Sequence, residues 1–209
     1  TQSDGADYTF DYAMVGNPES LDPQYASDIS SMTVIGNLFT GLVTMDDNGV
    51  LSNGVAEDYS ISDDGLTYTF KIRKDCYWFY DENEDEVVDE NEYFPVTAHD
   101  FVFAFQRIFN PETCSPHRET FLCLKNAESI IKNSADYNSI GVTAASDTEL
   151  VFELDYPSAG FLSSLASSAA MPCNKEFFYN TKGRYGLDDK SIISNGAFFI
   201  RQWFYDPYG

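Results

Sequence analysis

Basic residues are scarce in this chain, which has 12 lysines and arginines against 34 aspartates and glutamates in 209 residues. The formal charge of −22 at pH 7 argues against nucleic acid, or an anionic membrane surface, as a direct partner, because both would repel it. Hydrophobic residues make up 43% of the chain, which is typical of a globular protein and not of a disordered one. The charge favours cationic or zwitterionic ligands.

Histidine is also rare, since only His99 and His117 occur. A serine hydrolase needs a nucleophile aligned on a basic imidazole, and the sequence holds no G-x-S-x-G elbow to present such a serine. It holds no P-loop and no G-x-G-x-x-G fingerprint either. Carboxylates are so numerous that a chance pair means little. We therefore predict a binding protein, with no enzymatic activity and no cofactor.

Cysteine occurs four times without any C-x-x-C spacing, which argues against a zinc site. The cysteines are Cys76, Cys114, Cys123 and Cys173. One or two disulfides and four free thiols are alternative states. If a disulfide forms, Cys114 and Cys123 are the nearest pair in sequence, and the Ser-Pro dipeptide between them could turn the chain.

The segment 80–92, YDENEDEVVDENE, is dense in carboxylates, which are the ligands that a hard cation such as Ca²⁺ prefers. It lacks the ligand spacing of an EF-hand and the glycine that its loop requires. We interpret the segment as a solvated acidic hairpin, with a Ca²⁺ site as the less favoured alternative, and we predict no metal site.

The stretch 20–42, SLDPQYASDISSMTVIGNLFTGL, predicts an extended segment, then a polar turn, then a short helix. Pro23 restrains Asp22 to an extended conformation, and the polar run offers several good helix N-caps. Apolar residues then recur at helical spacing, namely Met32, Ile35, Leu38 and Phe39. Such a turn leaves backbone N–H and C=O groups that a ligand's main chain could reach, although an ordinary surface loop has the same local sequence.

Hydrophobic periodicity predicts further elements along the chain. Strands are predicted at 8–15, 42–45, 66–72, 140–144, 150–154 and 197–203. Helices are predicted at 97–109, 157–167 and 175–179, and one or two short helices are predicted within 116–133. The helix at 97–109 has the strongest signal, because Thr97 and Asp100 form a capping box ahead of an apolar stripe. Segment 50–60 is predicted to be irregular.

Short motifs follow one another in a characteristic order. They are S-L-D-P at 20–23, N-L-F-x-G-L at 37–42, S-D-D-G-L-T-Y-T-F-K-I-R at 62–73, V-T-A-H-D-F-V at 96–102, N-P-E-T at 110–113 and N-G-A-F at 195–198. Each motif alone is weak, but their collinear order covers nearly the whole chain. It resembles the N-terminal portion of bacterial extracellular solute-binding proteins of oligopeptide and dipeptide ABC importers, solute-binding protein family 5.

The resemblance implies a mixed α/β fold of the type II periplasmic-binding-protein kind. Family members are much longer, so the chain would hold an incomplete lobe with an inserted second domain. A discontinuous first domain would comprise 1–40 and 173–209, with the predicted strands near the two chain ends pairing in one sheet. The inserted second domain would run over 41–172.

The resemblance also implies a function and a site. The protein would capture oligopeptides or dipeptides outside the cell and deliver them, as a monomer, to ABC permease subunits. Backbone groups of Ser27, Asp28 and Ile29 would contact the peptide, and His117 would line the ligand where relatives often have tyrosine. Because histidine titrates at about pH 6.5, acidic peptides would be favoured at lower pH. The alternative for His117 is an exposed loop residue.

A protein of this kind is exported and lipid-anchored to the outer face of the cytoplasmic membrane. The chain begins TQSDGADYTF, without an apolar leader or a lipobox cysteine, and no apolar run approaches transmembrane length. We expect the leader and the anchor to lie outside this chain. The alternative functions are a non-transport interaction or sensing module on the same lobe, and a relative that binds an oligosaccharide or a nickel complex.

Overall fold

The computed structural model describes residues 12–14, 16–81 and 89–204. Its strands are Val43–Met45 (β1), Leu51–Asn53 (β2), Ala56–Ile61 (β3), Thr67–Ile72 (β4), Tyr77–Phe79 (β5), Tyr93–Pro95 (β6), Val142–Ser146 (β7) and Glu149–Glu153 (β8). Its α-helices are Ile29–Leu38 (α1), Ala98–Phe109 (α2), Ala127–Ile131 (α3), Phe161–Ser164 (α4) and Lys175–Asn180 (α5). None of the helices in the described ranges is both long and apolar enough to cross a membrane.

An antiparallel sheet of four strands, in the order β3-β4-β8-β7, lies at the centre of the fold. Its strand β4 alternates as the sequence predicts, so that Tyr68, Phe70 and Ile72 are buried while Lys71 is exposed. Two smaller antiparallel sheets, β1-β2 and β5-β6, accompany the central sheet.

Aromatic side chains join helix α2 to the central sheet. The ring of Phe152 on β8 lies 5.7 Å from that of Phe70 and 5.5 Å from that of Phe161, measured between centroids. It also lies 5.1 Å from the ring of Phe105 on α2. These edge-to-face contacts place the apolar stripe of α2 against the sheet, as its sequence pattern predicts. The mixed α/β fold is therefore confirmed.

The predicted capping box at the start of α2 is also confirmed. The N–H of Thr97 donates to the Asp100 carboxylate at 2.8 Å, and the side chain of Thr97 accepts in return from the backbone N–H of Asp100. The indole N–H of Trp78 on β5 donates to the same carboxylate at 3.2 Å. Burial raises the pKa of Asp100 above its ordinary value, although these hydrogen bonds act in the opposite direction.

Two predictions along the chain are wrong, and a third lies mostly outside the described residues. Segment 50–60 is not irregular, because it contains β2 and β3. Strand β3 lies at the edge of the sheet with most of its residues exposed, so it shows little apolar alternation.

Segment 197–203 is not a strand. Its pattern reflects Ile200 and Trp203, which pack against the core from an irregular segment. Within the predicted strand 8–15, residues 12–14 are irregular and the rest lie outside the described residues.

The helix predicted at 157–167 is limited to α4, a single turn. Serine hydroxyls compete there with the helical pattern, since Ser164 donates to the carbonyl of Phe161 and Ser167 donates to that of Ser164, each at 2.7 Å. Segment 116–133 contains a 3₁₀ turn at Arg118–Phe121 and then α3.

All four cysteines are free thiols, so the disulfide considered between Cys114 and Cys123 is not formed. Cys114 is exposed and Cys123 is buried. Of the acidic segment 80–92, residues 82–88 lie outside the described residues. Within the described ranges, no group of histidine, cysteine, aspartate or glutamate side chains could hold a metal ion.

Candidate functional site

The site is built around the turn that follows the S-L-D-P motif. The carbonyl of Asp22 accepts hydrogen bonds from the N–H groups of Tyr25 and Ala26, at 3.0 and 2.8 Å. Asp28 then caps α1, because its carboxylate accepts from the N–H of Ser31 at 2.8 Å. Burial would raise the pKa of Asp28, but its hydrogen bonds with Ser31 outweigh burial and lower the pKa below its ordinary value.

Within residues 25–29, which we call the exposed turn, some backbone groups are open. Ser27 forms no hydrogen bond with any residue that the structure describes, and the N–H of Ile29 has no acceptor among them. The side chains on either side are also turned outward, since Tyr25 is 51% exposed and Ile29 is 76% exposed. The exposed turn can therefore offer main-chain donors and acceptors to a ligand.

A buried ionic cluster fixes the start of this turn. The guanidinium of Arg107 on α2 donates through both terminal nitrogens to the carboxylate of Asp22, one bond measuring 2.9 Å, and it also donates to the Gln24 side-chain carbonyl at 2.7 Å. The Gln24 amide in turn donates to the carbonyls of Met171 and Ala169, at 2.9 and 3.2 Å. Each of these side chains is buried, so the chain around 22–24 is held in one arrangement.

The surroundings of the cluster show that it is structural. The Arg107 guanidinium lies 4.1 Å from the centroid of the Phe178 ring. Its nitrogen Nη1 lies 3.4 Å from the sulfur of Cys173. Burial would lower the pKa of Arg107, but the neighbouring carboxylate of Asp22 raises it above its ordinary value. Burial raises the pKa of the Cys173 thiol to about 12. A neutral, enclosed thiol of this kind is not a nucleophile.

Gly186 packs against the backbone of the S-L-D-P motif. Its carbonyl accepts from the N–H of Leu21 at 2.7 Å, and its φ of +74° lies in the left-handed region that favours glycine. A Cβ atom at this position would lie 2.4 Å from the backbone nitrogen of Asp22. This close approach therefore requires glycine.

His117 reaches the same turn from the loop after α2. Its ring Nε2 lies 2.8 Å from the carbonyl oxygen of Ala26, and its backbone N–H donates to the hydroxyl of Ser115 at 3.2 Å. His117 thus contacts Ala26, the residue that precedes Ser27. The four predicted site residues, Ser27, Asp28, Ile29 and His117, therefore lie in one region. The other histidine, His99, is an exposed residue of α2 whose ring lies 3.3 Å from the carboxylate of Asp147.

Sequence reasoning did not find the residues that support the turn. Arg107 contacts Asp22 across 85 residues of chain, and no local pattern connects them. The only available signal was a charged residue one helical turn after the apolar Phe103, on the side of α2 that is buried. The contact of Ala26 with His117 could not be predicted from the sequence, because Ala26 makes it through its backbone carbonyl and not through its side chain.

Comparison with known proteins agrees with this architecture. The family model of bacterial extracellular solute-binding proteins, family 5 Middle, matches residues 50–207. The chain belongs to this family. Its family 5 relatives include the oligopeptide-binding protein AmiA of Streptococcus pneumoniae, which is 32% identical over 194 residues, covering 92% of this chain and 28% of AmiA.

Solved structures of family 5 relatives show the same fold. The substrate-binding domain of an oligopeptide ABC transporter from Bacillus anthracis aligns with a TM-score of 0.81 at 30% identity, covering 92% of this chain and 35% of that one. OppA of Haemophilus influenzae, in complex with the peptide RPPGFSPFR, aligns with a TM-score of 0.78 at 29% identity, covering 90% and 34%. The chain therefore spans about a third of the length of these relatives.

Proposed function

We propose that this chain belongs to the substrate-binding component of an ABC transporter, which captures oligopeptides or dipeptides outside the cell and delivers them to a membrane permease. The observation that carries the proposal is a rigidly held turn with open backbone groups at its apex. Backbone groups recognise the main chain of a peptide, which is the same whatever its sequence. The names of the relatives, among them oligopeptide-binding proteins, support this ligand class.

The proposed ligand-binding site comprises Ser27, Asp28 and Ile29, which act through their backbones, with His117 beside them. The protein would act as a monomer, lipid-anchored outside the cytoplasmic membrane. Its formal charge of −22 disfavours nucleic acid as a partner.

We propose the domain division 1–40 with 173–209, and 41–172. Contacts between the early and late parts of the chain support it. Asn195 exchanges two side-chain hydrogen bonds with the backbone of Thr40, at 3.1 and 2.9 Å, and the N–H of Gly196 donates to the carbonyl of Leu38 at 2.9 Å. The bridge between Phe79 and Ser194 instead joins the late segment to β5, which belongs to the proposed second domain.

Replacing Ile29 by proline tests the role of the exposed turn, because proline has no backbone N–H. The geometry suits this change, since Ile29 is the first residue of α1, where proline is well tolerated. The preceding Asp28, at φ −84° and ψ 153°, already has the extended conformation that proline imposes on its neighbour. In the complete product of the gene, we expect Ile29→Pro to weaken the binding of all peptides alike, as measured by calorimetry.

Ile29→Ala is the matched control, because it removes the exposed side chain and keeps the N–H. Affinity should survive in this variant. A folded Ile29→Pro protein with unchanged affinity would show that the exposed turn does not bind peptide.

A second candidate is a solute other than a nutrient peptide. One relative at 31% identity is named as a probable deoxycholate-binding protein, and a structural relative at 32% identity is named as a pheromone receptor. The first name supports a non-peptide ligand, and the second supports sensing. Binding of deoxycholate without binding of any member of a peptide pool would favour the non-peptide alternative.

A further inference from the structure

We propose that His117 is a positioning residue, which holds the exposed turn in its binding conformation through a hydrogen bond to the carbonyl of Ala26. The inference rests on the proposed function. In this inference His117 acts through Ala26 and the exposed turn, and it does not contact the ligand itself. The distance from the His117 Nε2 to the Ala26 oxygen is 2.8 Å, which is a normal hydrogen bond.

The geometry fixes which ring nitrogen carries the proton. A carbonyl oxygen only accepts hydrogen bonds, so Nε2 must be the donor, and in the neutral ring Nδ1 is the basic atom. An imidazolium ring also carries a proton on Nε2. The bond to Ala26 is therefore compatible with both protonation states of the ring.

The loop that carries His117 is itself fastened to the end of α2. The guanidinium of Arg118 donates to the carbonyls of Ile108 and Asn110, at 3.2 and 2.9 Å. These carbonyls lie at the C-terminal end of the helix, where such groups lack partners within the helix. Because Arg118 directly follows His117 in the chain, these two hydrogen bonds also restrict the position of His117.

Helix α2 consequently holds the turn from two sides. Arg107, on its last turn, binds Asp22 and Gln24 just before the exposed turn. His117, from the loop fastened to its end, binds Ala26 within the exposed turn. Ser27 follows immediately, with its backbone groups open. Without the bond to His117, the turn would remain fixed only at its base and at the cap of α1, so the binding conformation would be less populated.

Two variants separate positioning from direct ligand contact. His117→Gln keeps an amide N–H close to the place of Nε2, whereas His117→Phe keeps a ring of similar size without a donor. In the complete gene product, we expect His117→Phe to weaken all peptides by a similar factor, roughly three- to tenfold, as one lost hydrogen bond would. His117→Gln should restore affinity to within about twofold of the wild type. An altered ranking of peptides in both variants would assign His117 to the ligand and overturn the proposal, and so would unchanged affinity in both.

A measurement without peptide separates this proposal from the proposed function. Chymotrypsin cleaves after tyrosine, and Tyr25 is 51% exposed within the turn. We expect cleavage after Tyr25 to be faster in His117→Phe and unchanged in His117→Gln, even if the protein binds a ligand other than peptide. Equal cleavage rates in all three proteins would overturn the proposal. In the wild type alone, ¹⁵N shifts that placed the neutral ring's proton on Nδ1 would overturn it as well.

Discussion

At the scale of single residues, Arg107 carries a full charge in a setting of aromatic rings. The ion pair that Arg107 forms with Asp22 is buried away from water. A hydrogen bond from Arg107 to Gln24, and the contact of the guanidinium with the ring of Phe178, take the place of hydration. A buried pair of this kind adds little net stability over an apolar pair of the same size. Its value here is that it fixes one arrangement of the chain before the exposed turn.

Removing Arg107 should therefore be costly, because it leaves the carboxylate of Asp22 buried without a partner. We expect Arg107→Met to lower the free energy of unfolding by about 3–5 kcal/mol, measured by denaturant titration. Arg107→Lys should recover only part of the loss, since an ammonium group cannot form the paired bonds to a carboxylate.

Arg73 provides the matched control, because it also forms two bonds to one carboxylate, that of Asp75, each at 2.9 Å. This second pair is exposed, so Arg73→Met should change stability very little. Equal losses at both arginines would show that burial does not set the cost.

The cysteines should react with iodoacetamide in an order set by burial and thiol pKa. Cys114 is exposed and should be alkylated first in the folded protein, without any reductant. Burial raises the pKa of Cys123, and that of Cys173 to about 12, so neither should react until the protein unfolds. Mass spectrometry of tryptic peptides would check this order. Recovery of a linked Cys114–Cys123 peptide would contradict the free thiols.

At the scale of elements, α2 connects the core to the site through Asp100 at its first turn and Arg107 at its last. Burial raises the pKa of Asp100 above its ordinary value of 3.8, so the folded state takes up a proton more readily than the unfolded chain. The stability that this group contributes is complete below pH 3.8 and is lost as the pH rises through the folded pKa.

Asp100→Asn should remove this dependence while keeping an acceptor for the N–H of Thr97. The free energy of unfolding of the wild type, relative to the variant, should fall as the pH rises above 3.8. Asp64→Asn should show the opposite slope, because the hydrogen bond from Ser62 lowers the pKa of Asp64. Urea titrations at several pH values would measure both, and a relative stability of Asp100→Asn that did not vary with pH would contradict the prediction.

Elements with one buried face could be predicted from the sequence, because burial imposes a period on it. Strand β4 and helix α2 were predicted to within one residue of their observed bounds. Edge strand β3 and the irregular segment 197–203 were predicted wrongly, because exposed strands lose the apolar alternation and an irregular segment can imitate it. For the site, the turn after Pro23 followed from local sequence, whereas Asp28 was only one of several possible N-caps of α1. The bond from His117 to Ala26 did not, since it joins residues 91 positions apart through a backbone atom.

At the scale of the whole molecule, the described chain is matched to only about a third of each relative. If peptide is enclosed between two lobes, as we propose from the resemblance, the 209 residues supply only part of the contacts. We expect this chain alone to bind a peptide pool far more weakly than the complete product of its gene, by calorimetry on both. Equal affinities would show that the exposed turn and its supports are sufficient.

The bond from Gln24 to Met171 spans 147 residues, and it has a consequence for the order of events during synthesis. At a ribosomal rate of about 5–20 residues per second, the partner of Gln24 emerges roughly 7–30 s after Gln24 itself. During this interval the first part of the chain lacks the segment that completes its arrangement. The turn that we assign to ligand binding is therefore translated before the segment that completes its arrangement, and during that period it lacks its full set of contacts.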